Sequence, residues 1–360
     1  MRILYTINYL TNGGPTRVLQ NTIYGIKKYN YEIVVLTLFK NSKNVVEDLE
    51  LYGVNVIQLD LDKSLFKFIR SFNRIKSVIN KVNPDIIHVH GIVTALVVMS
   101  KSLTAKKIST IHNNIDEDYK FTYGTIIGKI FTFLHIFALN RFDEVVTCSK
   151  TSYEVLKGRV RKLSSIVNGV DVMHNEDFQK SKDKIRERYY IPNDTKVFLY
   201  CGVINERKRV LDLIKLFLSH TTNEVLLIVG DGPLIEEAKK IANDRVIFAG
   251  FQKNIIEFYE AADFYISNSS SEGFSISIIE ALSSGLACFL SDIPSHSELF
   301  EIDSRTYLGE TFNDSNFSEK LINLLSKEIN RGEIISFQKD VLSSEAMSSK
   351  YNRLYCEILK

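Results

Sequence analysis

The stretch Asp263–Ser291, "DFYISNSSSEGFSISIIEALSSGLACFLS", decides the architecture. An apolar, β-rich run opens it, serines and a glycine turn follow, a segment of helical period comes next, and a second apolar run closes it. Strand, helix and strand in that order are the unit of a parallel sheet covered by helices. In such sheets ligands bind beyond the carboxyl ends of the strands. Glu272 stands just after the first run, and Glu280 lies inside the helix. Between them, Gly273, Phe274, Ser275, Ile276 and Ser277 can present backbone N–H groups at a helix start. Two carboxylates in such different settings suit gripping hydroxyls at two places on one ligand better than sharing a proton.

The same alternation runs along the chain. "RILYTI", "EIVVLTL", "VNVIQL", "DIIHVH", "KKISTIH" and "EVVTCS" are separated by candidate helices near 15–29, 43–52, 64–82, 92–103, 123–141 and 150–157. A second series, "KVFLYCGV", "EVLLIVG", "RVIFAG", "DFYISN" and "LACFLS", begins after residue 178. A chain of 360 residues is long for one core, so two domains are expected. The join falls near "IVNGVDVMHNEDF", where a turn-forming Asn-Gly follows a strand. Residues 1–178 then form one domain and 179–340 a second. Residues 341–360 read as a helix with Tyr351, Leu354 and Ile358 on one side, crossing back to the first domain. The fold class is α/β, with two doubly wound parallel-sheet units facing a central cleft.

Composition narrows the setting. The chain is 45% hydrophobic and 24% charged, which is ordinary for a folded protein. "MRILYTINYL" reads as a first strand rather than a secretory signal, and "GIVTALVVM" and "IFTFLHIFAL" are shorter than the roughly 20 residues of a spanning helix. A cytoplasmic protein is expected. Cys148, Cys201, Cys288 and Cys356 lie far apart with no CxxC, as reduced thiols do. The net charge of +2 conceals an asymmetry: residues 1–178 hold 23 Lys/Arg against 16 Asp/Glu, and the remainder 22 against 27. A basic first half suits an anionic partner, and no nucleic acid is expected.

Other strand ends carry further candidates. In "NYLTNGGPTRV", Gly13 and Gly14 let the backbone approach a ligand, and Pro15 opens a helix N-terminus to an anion. A tight strand-to-helix turn explains those residues equally well. His112 ends a strand in "STIHNN", although a lone histidine is more often packed than catalytic. His88 and His90 share one strand face and lack a third metal ligand, which favours packing or cleft lining. "CGVINERKRV" sets Arg207, Lys208 and Arg209 at a helix start, against the helix dipole, a misfit that points to a diphosphate. Asp60 and Asp62 form an Asp-x-Asp that reads as a helix cap before it reads as a metal motif. "IVGDGPL" by itself is a turn.

Two segments bear on membranes. In "DKSLFKFIRSFNRIKSVINKVNPD", Leu65, Phe68, Ile69, Phe72, Ile75 and Ile79 recur at helical spacing among Lys63, Lys67, Arg70 and Arg74. Its apolar side is expected on the first sheet, leaving the basic side for anionic lipid. "YKFTYGTIIGKIFTFLHIFALNRF" is expected to line the acceptor side.

Together, "NGGPTRV", "DIIHVHG", "TIHN", "VTCSK", "IVNGVD", "LIVGDGPL" and "SEGFSISIIEALSSG", with its Glu-x7-Glu spacing, make the chain resemble the family 4 glycosyltransferases of GT-B architecture. The likeness extends over nearly the whole chain. It implies two Rossmann-like domains and retaining, hexosyl-type transfer from a nucleotide sugar, above all a UDP-sugar, to a saccharide or lipid-linked saccharide. O-antigen, capsule or a similar cell-surface polysaccharide would be the product, with no cofactor and no catalytic metal. The resemblance gives His112 and Glu272 to the reacting sugar, Glu280 to the ribose, and Gly273 to Ser277 to sugar and diphosphate. It gives Lys208 to the diphosphate, after the strand ending at Gly202, and Gly14 to the turn facing diphosphate and acceptor. The family's Arg after that glycine is Val203, so Arg207 is expected to substitute. Neither glutamate is expected to act as acid or base. A sugar-nucleotide epimerase is an alternative that the ordered motifs disfavour. A catalytically silent nucleotide-sugar-binding subunit is a third, with Val203 as its best support.

Overall fold

The computed structural model describes residues 1–62, 70–171, 178–302 and 308–360. Two compact units divide the chain, Met1–Gly169 with Ser344–Lys360, and Val170–Ser343. The point of division has a local cause. Gly169 is tied to the first unit, its N–H donating to Met347 Sδ at 3.2 Å and its carbonyl accepting from Asn21 Nδ2 at 3.1 Å. Val170 is tied to the second, donating to the Leu342 carbonyl and accepting from Gln338 Nε2. Residue 178, the boundary read from the sequence, therefore lies inside the second unit.

In the first unit β1 (Arg2–Ile7), β2 (Glu32–Thr37), β3 (Asn55–Gln58), β4 (Ile86–His90), β5 (Lys106–Ile111), β6 (Glu144–Thr147) and β7 (Leu163–Ser165) form one parallel sheet. Its order is β3-β2-β1-β4-β5-β6-β7. All five residues of β4 are buried, Ile86, Ile87 and Val89 together with the hydrogen-bonded His88 and His90, as expected of a strand with both faces covered. The second unit holds β8 (Val197–Cys201), β9 (Val225–Val229), β10 (Val246–Gly250), β11 (Phe264–Ser267), β12 (Ala287–Ser291) and β13 (Gly309–Phe312). Its order is β10-β9-β8-β11-β12-β13, again parallel. The fold is thus the α/β pair of parallel-sheet units that the alternation predicts. In each sheet the order reverses once, at β1/β4 and at β8/β11, and the loops leaving those strands lie side by side.

The C-terminal helix Ser344–Leu359 packs in the first unit against the helix Gly14–Ile26. Gly25 makes this possible, since a Cβ there would collide with Ser348. The buried stripe is Met347, Ser348, Tyr351 and Tyr355; Leu354 and Ile358 are only half-buried. The helix Phe72–Val82 buries Ile75 and Ile79 in the first core, while Lys63, Leu65, Lys67, Phe68 and Ile69 lie outside the described residues.

Several elements differ from the sequence reading. The aromatic segment is two helices, Ile115–Tyr123 and Thr125–Leu139, parted by Gly124 at φ +78. β7 and β13 add a strand to each series, and being three and four residues long and partly exposed they carry little periodicity. Among the described residues no helix is long and apolar enough to cross a membrane.

Candidate functional site

The β8/β11 switch point brings Arg207, Lys208 and Glu272 together. After β8, Asn205 caps the short turn Glu206–Lys208, its Oδ1 accepting from Lys208 N–H at 3.0 Å. Arg209 then adopts φ +47 and begins the helix Val210–His220. Its side chain turns aside to Asp212 and Asp314. Arg207 and Lys208 instead face the loop after β11. The Arg207 carbonyl accepts from Ser270 N–H and Oγ, and its Nη1 donates to the Ser271 carbonyl at 2.6 Å and to Glu272 Oε2 at 3.0 Å. Lys208 Nζ donates to Glu272 Oε1.

Glu272 is 8% exposed. Burial pushes its carboxyl up, but Lys208 and Arg207 outweigh it and hold the group at about 2. One buried carboxylate between two cations leaves a net positive charge at the strand ends. An approaching anion therefore meets donors already assembled, and Glu272, always ionised, can only accept hydrogen bonds.

Glu280 lies one helix further, in Ile276–Ser283, and is also buried. Its Oε2 accepts from Tyr259 Oη at 3.0 Å. The same hydroxyl lies 3.2 Å from the Ser277 carbonyl, and Tyr265 donates to Ser277 Oγ at 3.0 Å. The two glutamates thus have separate partners. Ser275, at the N-cap, makes no side-chain capping bond to the first amides of this helix, while Phe274 is buried in the turn before it. The glycines of "GDGPL" are explained by packing: a Cβ on Gly230 would strike the Gly202 carbonyl, and one on Gly232 the Ile204 backbone. Val203, where the resemblance leads one to expect an Arg, is 52% exposed.

Gly14 and His112 belong to the first unit. A Cβ on Gly14 would meet open space, so packing does not require glycine there. His112 follows β5, with Nε2 2.7 Å from His90 Nδ1 and a buried Nδ1 that has no partner among the described residues. Burial lowers its pKa to about 4, so the imidazole is neutral at neutral pH. His90 is tied to it and stacks on His88, whose Nδ1 and Nε2 meet Tyr355 Oη at 2.6 Å and Thr110 Oγ1 at 2.7 Å. A hydrogen-bonded and stacked chain thus connects His112 to the C-terminal helix. Asp60 takes φ +45, and the segment it would cap lies outside the described residues.

Two residues near the glutamates had drawn no notice in the sequence. Tyr259 closes on Glu280, and His296 is buried behind Glu272, its Nδ1 2.9 Å from the Ser291 carbonyl. Neither stands next to a motif, so no spacing could have found them.

Comparison with known proteins gives first the class. HepE of Anabaena, solved with UDP and glucose, matches with a TM-score of 0.82 at 15% identity, over 99% of this chain and 100% of that one; the fold is that of the GT-B glycosyltransferases. The Glycosyltransferase Family 4 model matches residues 12–174 and the Glycosyl transferases group 1 model residues 181–340. The chain belongs to the family 4 glycosyltransferases and is a glycosyltransferase. The O-antigen biosynthesis glycosyltransferase WclY of Escherichia coli is 26% identical, covering 100% of this chain and 99% of WclY. The E. coli UDP-Gal:alpha-D-GlcNAc-diphosphoundecaprenol alpha-1,3-galactosyltransferase is 23% identical over 76% of each chain.

Proposed function

We propose that the protein transfers a hexose, with retention, from a nucleotide-diphosphate sugar to a saccharide or lipid-linked saccharide during cell-surface polysaccharide synthesis. A UDP-sugar is the proposed donor, and the cytoplasmic face of an anionic membrane the proposed place of work. The observation that carries this reading is the clamp of Arg207 and Lys208 on Glu272 at the β8/β11 switch point. The names of the E. coli relatives support the polysaccharide setting and the kind of acceptor, and the UDP in HepE supports the nucleotide.

In this reading the donor's diphosphate takes over Arg207 and Lys208, and the sugar's hydroxyls take over the ionised Glu272. As the bond from the anomeric carbon to the phosphate oxygen lengthens, negative charge grows on the leaving group. Both cations and the start of the Ile276–Ser283 helix stabilise it, and preorganised charge of this kind contributes most in a dry site. The acceptor oxygen bonds to the anomeric carbon on the face from which the phosphate leaves, and its proton passes to the departing phosphate oxygen. Glu272 then needs no proton in any step, consistent with its depressed pKa. Glu280 and Tyr259 take the ribose hydroxyls. Gly202 and Gly273 to Ser277 line the donor with backbone, Gly14 faces the diphosphate, and neutral His112 orients the sugar. Arg207 stands in for the arginine absent at Val203. The step is proposed to need neither metal nor cofactor.

The test is a panel of nucleotide sugars with mass detection of released nucleoside diphosphate, by the wild type with and without EDTA and by Glu272→Ala. Turnover of at least one donor, insensitive to EDTA and lost in Glu272→Ala, is expected. Binding of a donor without turnover on any acceptor would favour the silent subunit suggested by exposed Val203, and a new sugar nucleotide formed without acceptor would favour an epimerase.

A further inference from the structure

The helix Thr125–Leu139 carries apolar side chains on its solvent side as well as on its buried side. Ile126, Ile127, Ile130, Phe133, Leu134 and Phe137 share one face by their spacing, and all are exposed, Ile126 at 79% and Phe133 at 68%. Its buried residues include Gly128, Thr132 and His135. Gly128 admits the backbone of Tyr119 and Lys120, and His135 Nδ1 meets Tyr119 Oη at 2.7 Å. Ala138 and Leu139 enter the core beside them, and Phe131 and Ile136 pack against it, so the helix carries large apolar side chains on both sides. Lys129 is the one charged residue among the helix's 15. Water does not stabilise such a face, and contiguous apolar patches of this kind mark interaction sites.

Charge indicates what covers it. At the C-terminal end of the helix, Phe133 and Phe137 share the wall of a cavity of about 1030 Å³ with Arg141, Lys157 and Arg161. The Arg141 guanidinium lies 3.6 Å from the centroid of the Phe137 ring. All three cations are exposed. A symmetric contact with a second copy would pair this patch with itself, and among the described residues the cavity wall that carries its cations holds no carboxylate to meet them. A lipid surface offers phosphates beside acyl chains, which matches both parts.

We propose that this face docks on an anionic phospholipid bilayer. The six apolar side chains enter the boundary between headgroups and acyl chains while Arg141, Lys157 and Arg161 meet lipid phosphates. The helix lies in the interface plane, because it is shorter than the roughly 20 residues a span requires. The proposal deepens the membrane contact proposed above and rests on that reading for its use; UDP binding tests the transfer chemistry separately.

The experiment is co-sedimentation of the full chain with vesicles of phosphatidylcholine, alone or mixed with phosphatidylglycerol, at low and high salt. The wild type should sediment with the mixed vesicles and be partly released by salt. Ile130→Asn with Phe133→Asn should weaken binding by about tenfold for each side chain removed. Arg141→Glu with Arg161→Glu should abolish the preference for anionic vesicles. Leu51→Asn, at an 86% exposed position elsewhere in the same unit, should change nothing. Thermal melting checks the fold, and Ile126→Asn carries the same expectation should the double variant melt early. Failure of the wild type to sediment while it still binds UDP overturns the proposal and leaves the transfer reading standing. So would self-association lost in Ile130→Asn/Phe133→Asn without any vesicle binding.

Discussion

The ammonium of Lys208 is hydrogen-bonded to the carboxylate of Glu272, 64 positions away in the chain. The two residues leave adjacent strands, β8 and β11, where the order of the second sheet reverses. With Arg207 on the other carboxylate oxygen, the contact ties a cationic loop to the glutamate expected to hold the sugar.

Breaking this clamp should affect stability and turnover together. Lys208→Ala combined with Arg207→Ala leaves a buried carboxylate unpaired, an arrangement that costs about 3–5 kcal/mol. Adding Glu272→Gln should recover much of that loss in urea denaturation without recovering turnover. Recovery of both would mean that the cations serve the fold alone.

The two glutamates should separate in binding and kinetics. Glu280→Ala is expected to weaken nucleoside diphosphate binding by about 1–3 kcal/mol in calorimetry, the cost of a lost buried hydrogen-bonding group. Glu272→Ala should lower kcat by a larger factor than it lowers that affinity. Equal losses of affinity in the two variants would contradict the assignment of ribose to one and sugar to the other.

Glycine substitutions should sort by packing. Gly230→Ala forces a Cβ into the Gly202 carbonyl, and a loss of roughly 3 kcal/mol or more in stability is expected for overpacking against backbone. Gly14→Ala meets open space, so its melting temperature should stay unchanged while donor turnover falls. An active Gly14→Ala would remove Gly14 from the site.

Acid should weaken the fold through buried histidines. Burial lowers His88 and His135 to about 3 and His112 and His296 to about 4. Each has a folded-state pKa below its unfolded value of 6.5. The unfolded chain therefore binds protons that the folded chain refuses, and stability present above 6.5 is lost as pH falls below it. Each such group contributes a slope approaching about 1.4 kcal/mol per pH unit. Urea midpoints should begin to fall near pH 6.5 and fall with full slope from about pH 5.5 down to about 4, where the folded-state imidazoles begin to charge. His135→Gln should flatten that fall; an unchanged slope would show that His135 charges freely in the folded protein. Glu272, held at about 2, enters only at lower pH.

What the sequence determined by itself was local. Apolar runs alternating with helical period specified two parallel-sheet units, because a strand buried on both faces is apolar over most of its length. The Glu-x7-Glu spacing placed one glutamate after β11 and one inside the next helix, because strand, turn and helix follow directly in the chain. β13 escaped because four residues with two half-buried side chains carry little periodicity. What tertiary structure decided was which strands are neighbours. The pairing of β8 with β11 turns Arg207 and Lys208 onto Glu272 and leaves Arg209 aside, although all three cations read alike in sequence. It also decided which helix shows an apolar face to water. Ile75 and Ile79 went to the core, while Ile130 and Phe133 did not, because Gly128 and His135 had already turned the opposite face of their helix onto Tyr119.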